Sequence, residues 1–351
     1  MRNPRLNAAL ALAAAGALTS TLVACGGVEP ASGTTAPASD KKVTVYSGRS
    51  ESLAKPVLDQ FTRATGITVE ARYGDTAQMA AQLLEEGDRT AADVFLAQDA
   101  GALGAVAKQG MFATLPDALL SKVPDAYRAR SGQWVGVTGR ARVLVYNPDL
   151  VAAADLPASV FDLTGPAWKG KVGIAPTNGS FQAFVTAIRI GQGDAKAREF
   201  LAGLKANAAP IRSNNDQIVL DVADGKLAAG LVNHYYVHEI AKEKGVAPDS
   251  LKAKLHFFAP GDAGNLVNLS GVGVLASAGN DPDALALVEY LLGTQAQTHF
   301  ATDVWEYPLI AGVAAAAGLP AFADLKPPAI DLNDLDSLEQ TVAIIKESGL
   351  A

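Results

Sequence analysis

The sequence predicts an α/β protein of two lobes built on a mostly parallel sheet, and three observations carry that prediction. Segments that read as strands and helices alternate from residue 43 onward. The folded part is long: with a 24-residue leader set aside, 327 of the 351 residues remain, about twice the commonest size of one domain. Hydrophobic residues make up 49% of the chain and charged residues 19%, which suits a sizeable core and excludes a mostly disordered chain.

The first strand is Val43 to Tyr46, a β-branched run closed by the Ser47-Gly48 turn. Over Glu51 to Ala64, Leu53, Val57, Leu58 and Phe61 recur at helical spacing. Ile67 to Arg72 reads as a strand, Asp75 to Glu86 as a helix with Gly87 past its end, and Asp93 to Leu96 as a strand. Trp134 to Val137 and Arg142 to Tyr146 read as two close but separate extended runs, and Val172 to Ala175 as another. Helices are predicted over Phe181 to Ile190, Ala195 to Asn207, Asp216 to Ala223 and Tyr235 to Lys244, with Ala229 to Val232 a strand before the last. Asp281-Pro282 and Gly293 bracket one more helix with a start and a stop signal. In parallel α/β sheets ligands bind beyond the carboxyl ends of the strands, so the loops after Tyr46, Leu96, Ala175 and Val232 are where a site is expected.

The N-terminus has two arginines within Met1 to Asn7, an uncharged run over Ala8 to Ala24, and then Leu22-Val23-Ala24-Cys25-Gly26. This pattern is similar to a bacterial lipoprotein signal, with small residues before the single cysteine at the cut. Residues 1–24 are therefore expected to be removed and Cys25 lipidated, which anchors the chain to the outer side of the cell membrane. Residues 25–42 hold little to bury and read as a flexible tether.

Net charge is −7, and loss of Arg2 and Arg5 with the leader makes it −9. No basic run is long enough to track phosphates, which argues against a nucleic-acid partner. With one cysteine, neither an internal disulfide nor a site of several thiolates can form.

Asn233-His234-Tyr235-Tyr236-Val237-His238, at a strand-to-helix junction, is the most informative segment. Phenolates are hard anionic donors, and a trivalent cation such as Fe3+ is hard enough to displace phenolic protons near neutral pH. Tyr235 and Tyr236 as neighbours would supply two of its three balancing charges. A packing role for the pair is the bland alternative, since a chain with eight tyrosines has a fair chance of one such dipeptide.

Over nearly its whole folded length the chain resembles the periplasmic ferric-iron-binding proteins of bacterial ABC importers. The matching segments are Val45-Tyr46-Ser47-Gly48, Ala92-Asp93-Val94-Phe95, Thr138-Gly139-Arg140, Tyr146, Pro176-Thr177-Asn178-Gly179, Asn233-His234-Tyr235-Tyr236 and Glu306-Tyr307-Pro308-Leu309, in shared order and near-constant spacing. The resemblance implies a two-lobed type II periplasmic-binding-protein fold, a transferrin-like clamp. It further implies that Tyr235 and Tyr236 ligate Fe3+ and that Asn178, Gly179, Ser180, Asn215 and Asn233 hold a synergistic anion, phosphate or carbonate. A helix starting near Phe181 and the missing side chain at Gly179 suit an oxyanion.

Two departures stand out. Ser50 falls where that family has a histidine ligand and Gln98 where it has a glutamate, so the first lobe lacks both expected donors. Glu51, Asp99, water or the anion are the possible replacements, and Arg49 is placed to meet an anionic ligand across the cleft. His234 and His238, four apart, invite a zinc reading, but no third ligand stands at metal-site spacing; structural roles are expected, with Asn233 capping the helix. Arg140 and Arg142 flank the expected crossing between lobes and either steady the anion or phenolates or form salt bridges.

The expected organisation is 43–139 with 265–315 as one discontinuous lobe and 140–264 with 316–351 as the other. The function implied by the resemblance is a monomeric, non-enzymatic receptor that takes up ferric ion with its anion and delivers it to an ABC permease. The alternative is an organic or anionic solute, such as a polyamine, a thiamine-like compound or a phosphonate, held by Arg49, Gln98 and the two rings. A hydrolase is disfavoured: there is no Gly-x-Ser-x-Gly elbow, no histidine accompanies the serines of the first lobe, and His238-Glu239 lacks the second histidine of a zinc-hydrolase signature.

Overall fold

The structure, a computed structural model, describes residues 39–335 and 337–351. The expected leader, Cys25 and the tether up to residue 38 lie outside the described residues. At the start of the described chain, the Ser39 hydroxyl (2.8 Å) and the Lys41 amide (2.8 Å) both donate to Asp283.

Nine strands are present among the described residues: β1 (Lys42–Ser47), β2 (Thr68–Tyr73), β3 (Val94–Ala97), β4 (Val135–Tyr146), β5 (Val172–Gly173), β6 (Ala229–Asn233), β7 (Lys254–His256), β8 (Val267–Val274) and β9 (Tyr307–Pro308). The helices are α1 (Glu51–Thr65), α2 (Thr76–Glu86), α3 (Ala100–Lys108), α4 (Asp117–Leu120), α5 (Gly179–Gln192), α6 (Asp194–Ala206), α7 (Asn215–Ala223), α8 (Tyr236–Glu243), α9 (Pro282–Leu291), α10 (Thr294–Asp303) and α11 (Leu338–Glu347). Helix α1 forms because Ala54, Val57, Leu58 and Phe61 fall on one buried face, and it stops at Gly66, whose φ of 73° is left-handed.

The strands order as β2-β1-β3-β8-β4-β6-β5, with β7 and β9 also paired to β4. The sheet is mixed, which corrects the mostly parallel expectation: only β1/β2, β1/β3 and β5/β6 run parallel. Long strands β4 and β8 lie antiparallel at its centre, and β4 is also antiparallel to β6, β7 and β9. The two extended runs expected at 134–137 and 142–146 are one strand. Thr138, Gly139 and Arg140 break the apolar alternation without breaking the ladder, because both faces of β4 are covered.

Strand β4 joins two halves. Its residues Val135 to Ala141 pair with β8, and Arg142 to Tyr146 pair with β6. Beyond that switch Val143, Val145, Ile218, Val222, Val232 and Ile240 form a separate buried cluster beneath α7 and α8, and the rings of Tyr235 and Tyr236 are built into it. The ends of β1, β3 and β6 and the starts of α5 and α7 meet at one cleft.

Candidate functional site

On the first half the cleft wall begins with the turn after β1. Gly48 is required there, since a Cβ would stand 2.7 Å from the Thr76 Cα. Thr76 donates its hydroxyl to the Gly48 carbonyl (2.8 Å) and accepts from the Gln98 amide (3.2 Å), which ties the two loops together. Ser50 is exposed and its hydroxyl meets Ser52 (3.1 Å). Glu51 is exposed in the opening turn of α1. Asp99 lines the cleft beside Gln98, Asn178 and Gly179 and also caps α3, accepting from the Ala102 amide (2.9 Å); burial pushes its carboxyl up despite that bond and the nearby Arg140.

Arg49 is turned inward. Its two Nη atoms donate to the carboxylate of Glu306 at 2.9 and 3.0 Å, and Thr138 donates to the same carboxylate at 2.6 Å. Arg49 and Glu306 are 1% and 0% exposed, so this is a fully buried, bidentate pair. Burial would raise the Glu306 carboxyl, but Arg49, Arg140 and Thr138 overcome it and hold the group below its usual range. Glu306 follows Trp305, a non-glycine residue at φ 63°, whose carbonyl bonds His234 Nε2 (2.7 Å). Such a backbone costs about 1–2 kcal/mol and persists only because its surroundings hold it.

On the second half, Asn178 caps α5. Its Oδ1 accepts from the Ser180 amide (3.0 Å), the Ser180 hydroxyl (2.6 Å) and Asn215 Nδ2 (3.2 Å). Ser180 Oγ in turn accepts from Arg142 Nη1 (3.2 Å) and Asn215 (3.1 Å). Gly179 faces open space, so no protein neighbour demands a glycine there. The structure thus brings Asn178, Ser180 and Asn215 into one network and adds Arg142 to it. Asn233 is buried at the end of β6 and does not cap α8, which begins three residues later; this corrects the expected cap.

Tyr235 and Tyr236 stack with ring centroids 4.4 Å apart and an interplanar angle of 29°. Tyr236 forms part of the cleft wall together with Ser50, Gln98, Asn178, Asp216 and Glu239, around a volume of about 620 Å³. Tyr235 is 1% exposed and its hydroxyl has no hydrogen-bond partner among the described residues. A buried hydroxyl left so costs about 1–3 kcal/mol. Burial, and then the adjacent Tyr235, push the Tyr236 hydroxyl well above its ordinary value.

Guanidinium groups surround the two rings. Arg142 is wedged between Phe181 and Phe184 and donates to the Leu231 carbonyl (2.8 Å), while Arg140 reaches only the Leu269 carbonyl (3.4 Å). Burial pulls the Arg142 guanidinium down to about 9; the neighbouring tyrosines oppose the shift and Arg140 adds to it. Arg49 Nε, Arg140 Nε and Nη1, Arg142 Nε and Asn215 Oδ1 are all buried without partners. Three buried cations therefore stand in this interior with two buried carboxyls, Glu306 near Arg49 and Arg140, and Asp99 near Arg140.

His234 is fully buried, its Nδ1 accepting from the Ala141 amide (3.2 Å) and its Nε2 bonded to Trp305. His238 stacks on Trp305 at 3.6 Å. They do not share a helix face, because His234 precedes α8. No group of three or more His, Cys, Asp or Glu converges to hold a metal among the described residues.

Sequence reasoning missed Glu306, 257 positions from its partner Arg49, and the cleft acids Asp216 and Glu239. Burial, and then Asp216 and Glu243, push the Glu239 carboxyl up to about 7. Its only signal in the sequence was its place one turn after the tyrosines.

Residues 89–337 match the family of bacterial extracellular solute-binding proteins. The chain is 34% identical over 319 residues to an Fe(3+)-binding periplasmic protein of Serratia marcescens, covering 91% of this chain and 93% of that one. A major ferric iron-binding protein of Neisseria meningitidis serogroup B is also 34% identical, over 88% and 93%. Among solved structures, iron-bound HitA from Pseudomonas aeruginosa superposes with a TM-score of 0.83 at 34% identity, over 88% of this chain and 99% of that one. The fold is accordingly the two-lobed type II arrangement of these periplasmic proteins. No helix among the described residues is long and apolar enough to cross a membrane.

Proposed function

The chain belongs to the family of bacterial extracellular solute-binding proteins, and from that premise we propose that it captures ferric ion in the cleft between its lobes. The observation that carries this reading is the stacked pair Tyr235-Tyr236 near buried guanidinium groups that each keep at least one nitrogen without a partner. Arginines beside a cation site are at first sight contrary. They fit once the phenols ionise: Fe3+ takes the two phenolic protons, and Arg49 and Arg142 then face phenolates instead of neutral rings. The same electron-rich oxygens do little for a soft or monovalent ion.

The anion completes the account. Asn178, Gly179, Ser180, Asn215 and Asn233 border the metal position with neutral donors, and the first turn of α5 offers the positive end of its dipole. Phosphate or carbonate held there would share the ion with Tyr235 and Tyr236. Closure is a hinge motion carried by β4 and β8, with lobes of 43–139 plus 265–315 and 140–264 plus 316–351. The receptor works as a monomer, tethered through lipidated Cys25, and hands its cargo to an ABC permease without chemical change to either. The organic-solute alternative loses ground because Arg49 is committed to Glu306.

Elemental analysis of the full chain purified without chelator tests the proposal. Iron near one equivalent per chain, with a rise in melting temperature on adding a weakly chelated ferric salt and phosphate, is expected. Background iron and no thermal shift would overturn it.

A further inference from the structure

As a ferric site, the reading on which this inference rests, the cleft has two phenolic donors and a synergistic anion but no protein carboxylate assigned to the ion. Two phenolates balance two of three charges, and a hard trivalent ion seeks a further oxygen anion. On the first-lobe wall, the two positions where the family has ligands carry the neutral Ser50 and Gln98, and one acid, Asp75, stands beside them. The acids that border the cleft are Asp75, Asp216, Glu239 and Glu243, with Asp99 in its adjoining part, committed to capping α3.

One of them lies along the tyrosine face. Glu239 stands four residues after Tyr235 and three after Tyr236, the two spacings that place side chains together on a helix. It is half-buried, and its carboxylate has no hydrogen bond or ion pair among the described residues. Asp216 opens α7 and Glu243 lies a further turn out along α8. The Tyr235 hydroxyl is buried without a partner and its ring stacks on Tyr236, which borders the same cleft as Glu239.

We propose that Glu239 is the carboxylate donor to the ferric ion, so that a single helix start supplies three anionic oxygens. Two phenolic protons leave as the ion enters; two phenolates and one carboxylate then neutralise it, and no electron is transferred.

The test uses the full chain, ferric ion with citrate as competitor, and the visible phenolate-to-iron band. Glu239→Gln is expected to keep the band, move its maximum, and weaken retention against citrate at least tenfold. Glu243→Gln and Asp216→Asn are expected to stay within about threefold of wild type, as electrostatic neighbours screened by solvent. Unchanged retention in Glu239→Gln, or an equal loss in either neighbour, would overturn the proposal while leaving the ferric reading intact. Wild type that holds no iron would overturn both. Should Glu239→Gln melt below wild type, Glu239→Asp decides: it keeps the charge but loses reach, and must show the same loss of iron with a normal melting temperature.

Discussion

Replacing Glu306 by glutamine removes the charge that Arg49 meets at 2.9 and 3.0 Å in a site closed to water, and strands a guanidinium whose Nε already has no partner. Breaking a buried pair by removing one member costs about 3–5 kcal/mol. About 310 residues fold here, and at roughly 2 cal/mol/K per residue the unfolding entropy is near 0.65 kcal/mol/K, so the melting temperature should fall by about 5–8 °C. The sign with pH is fixed as well. Glu306 is held below its ordinary range in the folded chain, so its stabilisation is fully present above pH 4.5 and lost as pH falls through the folded value. Melting curves of wild type and Glu306→Gln by circular dichroism at pH 7 and at pH 3.5 provide the assay, with Arg49→Met/Glu306→Leu as the control. The double variant should recover most of the loss, because an apolar pair of similar size leaves no charge unpaired. A single-variant change under 2 °C at pH 7, or a gap that does not narrow in acid, would refute the reasoning.

Gly48→Ala should lower stability by about 1–3 kcal/mol and displace the turn that carries Arg49 and Ser50, because its Cβ meets Thr76 backbone; differential scanning calorimetry reads the loss. Asn178→Ala removes a helix cap and the acceptor of two Ser180 bonds, and is expected to cost about 1 kcal/mol in thermal melts and to blunt the effect of phosphate on iron retention. Glu239→Gln should gain stability over iron-free wild type as pH rises from 4.5 through about 7: the buried carboxyl is raised in the folded chain, so wild type loses stability across that window and the amide does not. A melting-temperature difference independent of pH between 5 and 8 would contradict that sign.

Much of this was legible in the sequence because it is local. The strands at β1 and β3 and the helices at α1, α2 and α9 each sit within a short run of residues whose spacing states their form. What the sequence concealed is the product of tertiary pairing. Arg140 and Arg142 read as residues flanking the crossing between lobes, open to an anion role or to salt bridges; they lie buried inside β4, and neither forms a salt bridge among the described residues, Arg142 donating instead to Ser180. Arg49 read as a cleft residue until Glu306, from the far end of the chain, turned it inward. The parallel-sheet expectation failed for a related reason: alternating elements do not reveal that β4 and β8 run antiparallel through the middle of the sheet. Glu239 passed as one more charge on a helix, since only its partial burial in the fold sets it apart from the exposed Glu243.

The most direct measurement is a visible absorption titration of the iron-free chain with a weakly chelated ferric salt and phosphate, in parallel with Tyr235→Phe/Tyr236→Phe. Wild type should develop a phenolate-to-iron band that saturates at one equivalent, and the double variant, folded by circular dichroism, should show none. A wild type that stays colourless, or a variant that colours equally, would contradict the claim that these two ring oxygens hold the ion.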